Sequence, residues 1–459
     1  MSLSALPHAI AWAILVYFIT YHLGYFLLNI LAVVRMHDTE QSRILSDLPY
    51  LHSELEPPIS VLLPVHDHAA TIVQATQSLL HLDYSKFEII VINDGAQDAS
   101  LQALIAAFDL HPFPEAYRVQ LKTQTVKCIY RSSRYPHLRV IDKEYGGTAD
   151  ALNAGINASR YPLFCSIDVD MQVRRDSLQT LATPFLNDHR VIASIAAART
   201  ASTDAGLPKR WATLLKIVDM VRNQLFSSLG WSMLNGMLIA PAGMMLLRKE
   251  AVLAAGAYSR GARIAGMELI VRMHRIMRQK QQAYRIRFMA DPICWQAMPD
   301  NFSALKHDCI RSQQGMADSL AQNMGLLFAR RSGSAGQLAF PFLLLFEVVG
   351  PLLECLAYAF LLTGLVAGYM AGPACFAFLS VMIALGILLS ASGLLLEEMA
   401  FQLYPKTSDI CTLILVAIVS NFGYRQLNCL WRSIALLRWY THRKPGQLPC
   451  LLYTSDAAD

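Results

Sequence analysis

Two aspartates one residue apart, Asp168-Val169-Asp170, close the short apolar run LFCSI. Carboxylates two apart on an extended chain share a face, with Val169 turned toward a core. Paired hard oxygen donors suit Mg2+ or Mn2+, ions that usually complete their coordination with water and substrate phosphate. A third acidic group, Asp94, ends the β-branched run FEIIVIND and leads into a glycine turn. His66, Asp67 and His68 follow the apolar run ISVLLPV. Two imidazoles at that spacing invite a zinc reading, but no Cys or Glu nearby completes a zinc set, so the triplet reads as a polar loop. Taken singly, each of these has a plainer reading as a turn or a solvated acidic corner. Acidic groups at successive strand ends point instead to one polar cleft.

For those residues to converge, the runs before them must lie side by side. Residues 59–65, 87–95 and 163–170 read as buried strands; 70–82 and 149–159 carry the helical period. Strand, helix, strand with short connections predicts a parallel sheet covered on both faces, with ligands beyond its carboxyl ends. Of the 459 residues 54% are hydrophobic and 16% charged, with a mean hydropathy of +0.34. That balance is too apolar for a purely soluble chain and too charged for a purely membrane one. Residues 9–34 form a near-continuous apolar run, long enough at about 1.5 Å per residue to cross a bilayer core of roughly 30 Å. The run is too long for a signal peptide and has no small-residue cleavage site. Apolar runs return at 338–370, 373–396 and 408–424.

The expected organisation is a membrane helix over 9–34, a linker over 35–56, an α/β domain over 57–300 and interfacial helices over 301–337. About three membrane or interfacial segments follow over 338–427, then a basic tail over 428–449. The last ten residues, 450–459, read as a translated sequencing adapter and are set aside. The net charge of +5 is scattered, which argues against nucleic acid as a partner. Nine cysteines without Cys-x-x-Cys spacing fit reduced thiols and a cytoplasmic domain.

The motifs ISVLLPVHDH, FEIIVINDG, GGTADALNAGINAS, IDVD, GMELIVRMHR, DPICWQAMPD and PFLLLFEVVGPLLECLAY together resemble the membrane-bound family 2 glycosyltransferases of bacteria. These are relatives of the cellulose, hyaluronan, chitin-oligomer and poly-N-acetylglucosamine synthases, and the resemblance runs from about residue 57 to 440. It implies a GT-A fold inserted between transmembrane helices of the bacterial inner membrane, with the domain in the cytoplasm. It also implies a nucleotide-sugar donor, commonly a UDP-sugar, a divalent metal, and inverting hexosyl transfer to a saccharide or lipid-linked acceptor. By the same resemblance Asp94 meets the nucleotide base, Asp150 and Asn153 lie near the donor, and Asp168 meets the donor. Asp168 and Asp170 hold the metal, and Arg311 grips the diphosphate.

The chain departs from that family where transfer chemistry is done. In the family pattern Glu-Asp-Met-Glu-Leu the Asp is the base that takes the acceptor's proton; aligned on Met267-Glu268-Leu269, the Glu-Asp is Ala265-Gly266. Glu268 is no substitute, because two positions along a helix turn a side chain by about 200°. In the Gln-x-x-Arg-Trp motif Asp308 replaces the Gln, Ser312 the Trp, and only Arg311 survives. The Lys of the family's Gly-Lys-Ala is Thr148. Two functions therefore compete. One is an active glycosyltransferase of envelope polysaccharide or glycoconjugate synthesis using another base, for which Asp308, His66 and His68 are candidates. The other is an impaired relative that binds donor and metal and assists an active synthase. A transporter is disfavoured by the few ionisable residues in the apolar runs, Glu347 and Glu354 among them.

Overall fold

The computed structural model describes residues 5–46, 56–200, 207–222, 226–241, 243–368, 371–404 and 406–442. The adapter-like tail 450–459 lies outside them. Helix α1 spans Ala5–Ser46, so helical structure runs past the apolar stretch 9–34 into residues read as a linker.

The domain is built on nine strands in the order β11-β8-β10-β6-β1-β2-β5-β4-β3. They are β1 (Ile59–Val65), β2 (Phe87–Asp94), β3 (Leu110–Pro112), β4 (Val126–Ser132), β5 (Leu138–Lys143), β6 (Leu163–Ser166), β8 (Val191–Ala197), β10 (Gly243–Arg248) and β11 (Arg285–Met289). Beside it lies a small sheet, β7-β12-β9, of Met171–Val173, Cys294–Gln296 and Arg199–Thr200. The central strands β6, β1, β2 and β5 run parallel. The sheet is nevertheless mixed: β10 enters antiparallel between β6 and β8, and β4 and β3 add an antiparallel edge. An all-parallel expectation fails because runs such as GMMLLR look alike in either direction; only the connection decides.

Alternation in the strands covers both faces, as period-two side chains require. Val61 and Leu63 of β1 join Ile89 and Val91 of β2 in one core. It is closed by α2 (Ile72–Leu80), α3 (Ser100–Phe108) and α5 (Ser177–Asn187) through Ile72, Leu104 and Leu181. Leu62, Ile90 and Ile92 face the other core. That core is closed by α4 (Thr148–Ala158), α6 (Trp211–Met220), α7 (Phe226–Met233), α8 (Lys249–Ala254) and α9 (Ala265–Gln279), and it runs on into the long apolar helices. Gly230 of α7 lies so close to α1 that an added Cβ would stand 2.5 Å from the Leu28 carbonyl.

After α10 (Phe302–Gln322) come α11 (Ala335–Val348), α12 (Gly350–Val366), α13 (Gly372–Phe401), α14 (Thr407–Ser420) and α15 (Tyr424–His442). Residues 9–34 of α1, and α13, are long and apolar enough to cross a membrane. The pairs α11–α12 and α14–α15 bend by 44° and 60°, giving up to four spans if each pair counts as one. The α11–α12 break has a backbone cause. Pro351 has no N–H to give the carbonyl four residues back, that of Glu347. Gln313 Nε2 of α10 donates to it at 3.0 Å and Arg432 Nη2 of α15 at 2.7 Å, so neighbouring helices satisfy the freed group, as a low-dielectric setting demands. The Glu347 side chain accepts from Tyr25 of α1 and from Arg432 at 2.6 Å. One chain of hydrogen bonds thus fastens α10 to α1, α11 and α15.

Candidate functional site

The strand order reverses at β1, with β2 on one side and β6 on the other, and the loops after these strands open a crevice at their carboxyl ends. Asp168 and Asp170 stand there, but not on a strand. β6 stops at Ser166, and a turn closes with Met171 N–H donating to the Asp168 carbonyl at 3.1 Å. Val169 is buried and both aspartates are exposed, so the expected sidedness is produced by the turn and the extended-strand explanation of it is corrected. His68, after β1, brings Nδ1 to 3.8 Å from Asp170 Oδ1.

Asp168 opens to solvent yet is crowded by surrounding protein, the situation of a group inside a cleft. That crowding first, and Asp170 second, push its carboxyl above the ordinary range, while Arg311 of α10 pulls the other way. Folding thus brings Arg311 to the acidic pair from far along the chain. The sign follows directly. Cation binding needs the carboxylate, so Mn2+ affinity at this site should fall with decreasing pH earlier than for an ordinary aspartate. The folded state also holds this proton more tightly than the unfolded chain. This contribution to stability is full below the unfolded pKa and lost as pH rises through the folded one. Asp168→Asn should therefore leave the metal-free protein equally or more stable at neutral pH, measured by thermal unfolding without metal at pH 5 and pH 7.5.

Asp94 ends β2 and is buried with its carboxylate committed to the protein. It pairs with Lys143, the last residue of β5, and accepts from the Gly146 and Gly147 N–H groups at 3.0 and 2.7 Å. Lys143 is fully buried and also reaches Asp150 Oδ2 at 2.9 Å. Asp150, in the first turn of α4, accepts from Gln124 N–H at 3.0 Å and pairs with Arg260 at 2.7 Å. Gly147 takes φ +84° and Gly95 φ +62°; a Cβ on Gly95 would stand 2.5 Å from the Tyr145 nitrogen. These glycines let the loops after β2 and β5 interlock around the ion pairs. Asn153 exchanges two hydrogen bonds with the Tyr258 backbone, at 2.9 and 3.0 Å. Lys143→Met should leave two buried carboxylates facing each other and cost about 3–5 kcal/mol, the usual penalty for breaking a buried pair. Denaturant unfolding of the purified variant checks it.

The three candidate bases are placed differently. His66 Nδ1 donates to the Asp94 carbonyl at 2.9 Å, and its ring lies 4.7 Å from that of exposed Tyr145. His68 faces Asp170, as above. Asp308 is held by Lys216 of α6 at 2.6 Å. At the position of the family base, α9 begins at Ala265, and a Cβ on Gly266 would stand 2.7 Å from the Met245 methyl of β10. Met245 pairs with Ser166 of β6, so this methyl occupies space beside the strand that leads to Asp168. Glu268 is buried and bound in a bidentate pair to Arg272 at 2.8 Å. Among the described residues no group of three His, Cys, Asp or Glu side chains is arranged to hold a metal. The fit is to an ion taking two carboxylates and completing its shell from a ligand's phosphates, not to a caged structural metal.

Reading the sequence missed Lys143, Arg260 and Met245. Lys143 left a signal, a lone cation ending the apolar strand LRVIDK just before Gly-Gly. Met245 left none.

Residues 60–254 match the family Glycosyl transferase family 2. The poly-beta-1,6-N-acetyl-D-glucosamine synthase of Staphylococcus aureus (strain COL) is 24% identical over 302 residues, 64% of this chain and 62% of that protein. The synthase of the same name from Staphylococcus epidermidis is 20% identical over 307 residues, 66% and 63%. The chain therefore spans less than two thirds of the length of these relatives. Among solved structures, a mannosyltransferase from Pyrobaculum calidifontis, in complex with GDP-Man and Mn2+, superposes with a TM-score of 0.54 at 15% identity. The match covers 90% of this chain and 99% of that one. The fold is the mixed α/β fold of GT-A type.

Proposed function

Because residues 60–254 form a glycosyl transferase family 2 domain, we propose that this protein binds a nucleotide-sugar donor with a divalent cation at the crevice beyond β6 and β1. It would do so in the membrane, as part of envelope polysaccharide or glycoconjugate assembly. Asp168 and Asp170 would hold Mg2+ or Mn2+ on the donor's diphosphate, and the ion would neutralise charge on the leaving group. Arg311 adds a protein cation on the same side. Exposed Tyr145, with His66 against it, offers a ring face to the base, while Asp94 and Asp150 keep the loops beneath it in place through Lys143. The observation that supports this reading is the pair of exposed aspartates beyond β6 at the switch point of the sheet, with Arg311 near enough to act on Asp168.

The names of the relatives support a hexosyl donor, and they differ in it. Two are synthases of an N-acetylglucosamine polymer; the mannosyltransferase was solved with GDP-Man. The domain faces the cytoplasm of a bacterial inner membrane in this reading, consistent with eight described cysteines that are all free.

A second reading has its own observation. Met245 fills the space beside Gly266, Asp308 is engaged by Lys216, and His66 Nδ1 is engaged by a carbonyl. A donor-binding chain with glycine at the position that aligns with the family's base fits slow transfer by itself and a role beside an active synthase on a saccharide or lipid-linked acceptor. Calorimetric titration of the full chain in detergent with UDP, GDP, UDP-N-acetylglucosamine and GDP-mannose, with and without Mn2+, tests the donor site. Metal-dependent binding of one series supports it; no binding by any of them would remove the donor reading and leave a structural relative.

A further inference from the structure

Where the end of α6 meets the long apolar helices lies a second polar site, whose lining includes neither Asp168 nor Asp170. It is a cavity of about 40 Å3 between α1, α12, α13 and α15, and Tyr21, Arg222, Glu354, Gly386, Arg425 and Arg432 are among its lining residues. One water needs roughly 10–15 Å3 by this measure, so the space takes a small water cluster or one tetrahedral oxyanion.

The three guanidinium groups are held by carboxylates. Arg222 donates to Asp219 at 2.7 Å, Arg425 Nε to Glu354 at 2.9 Å, and Arg432 Nη2 to Glu347 at 2.6 Å. Arg432 Nε is taken by Gln313 at 2.8 Å. Each carboxylate thus fixes one edge of a fork. Nη1 and Nη2 of Arg425 and Nη1 of Arg432 have no hydrogen-bond partner among the described residues, and both residues line the cavity. Gly386 of α13 makes room for two neighbours: a Cβ on it would stand 2.3 Å from Asn421 Oδ1 and 2.6 Å from Arg425 Nη1. Ionisable groups at this depth normally face a protein interior or a watered cavity and mark a ligand path, and guanidinium forks match the oxygen geometry of phosphate.

We propose that this cavity binds the phosphate group of a membrane lipid, with Arg425 and Arg432 as its principal donors. The lipid source follows from the walls. Leu23 of α1, Leu356 of α12 and Leu388 of α13 are all more than half exposed, so acyl chains can lie along the same helices that enclose the headgroup. Each arginine is already paired with a carboxylate, so recognition rests on the guanidinium N–H groups that these pairs leave over. This inference does not depend on the donor-site reading.

The test uses the full chain in a maltoside detergent, without nucleotide, followed by native mass spectrometry. The probes are dioctanoyl phosphatidic acid, dioctanoylglycerol (the same lipid without phosphate) and inorganic phosphate. Retention of phosphatidic acid but not of dioctanoylglycerol is expected. Arg425→Gln should weaken it at least about tenfold, the scale of losing one charge-assisted contact. Arg425→Lys, which keeps the charge but removes the guanidinium fork, should weaken it as well and serves if Arg425→Gln does not fold. Equal retention of dioctanoylglycerol, or unchanged retention in both variants, would overturn the proposal. Binding of inorganic phosphate without phosphatidic acid would overturn the lipid assignment, whereas its competition with phosphatidic acid would support recognition through the phosphate.

Discussion

Alanine at Asp168 should abolish Mn2+-dependent binding of the nucleotide sugar, lowering affinity by about 100-fold or more. Hard divalent ions held by only one or two protein carboxylates lose most of their protein anchorage when one is removed, and two decades of affinity correspond to about 2.7 kcal/mol. Asp170→Ala should act in the same direction. Neither change should unfold the protein, because both side chains are exposed and Val169 remains in the core. Titration of wild type and both variants with the ligand found for the wild type, in Mn2+ and in EDTA, gives the answer. Undiminished binding in Asp168→Ala would show that the crevice beyond β6 is not where the donor lies. Lost binding together with lost thermal stability would count as misfolding, which the Asp168→Asn variant separates.

The second large effect is a gain. If the absent base limits transfer, Gly266→Asp should raise sugar transfer, but poorly alone: its Cβ would stand 2.7 Å from the Met245 methyl, so the new side chain must first displace the thioether. Gly266→Asp with Met245→Ala should do better, by about 10²–10⁴-fold over wild type, the range a positioned general base supplies. The aspartate also falls in the first turn of α9, where the helix dipole favours a negative charge by about 0.3–1 kcal/mol. Radiolabelled transfer to an oligosaccharide acceptor measures it. A double variant that binds donor normally yet transfers no faster than wild type would show that the base is not what limits this chain, and would strengthen a role beside an active synthase.

Much of the architecture could be read locally. The apolar runs at 59–65 and 87–94 became strands at those residues, where Val61 and Leu62, or Ile89 and Ile90, alternate between two buried faces and so find partners on both. The apolar run at 9–34 became part of a single helix for the same kind of reason: no polar residue interrupts it long enough to favour a turn. Local pattern failed at 167–170, where apolar residues continued past the last ladder bond and a turn took over, and at 35–46, where helical geometry outlasted the apolar stretch.

By itself the sequence determined which segments must be buried, which are long and apolar enough to cross a membrane, and which acidic residues follow apolar runs, since these depend on side-chain type at fixed local periods. Tertiary structure decided which of those residues face one another. Arg311 acts on Asp168 electrostatically although the two are far apart in the chain. Lys143 joins Asp94 to Asp150 because β5 lies next to β2. Met245 fills the place beside Gly266 because β10 enters antiparallel next to β6. The Glu347 carbonyl, orphaned by a proline that the sequence displays, is satisfied by Gln313 and Arg432, whose proximity the sequence does not display. Periodicity is a property of neighbouring residues. Electrostatic pairing and steric filling depend on distances between segments remote in the chain, and strand order and helix packing set those distances.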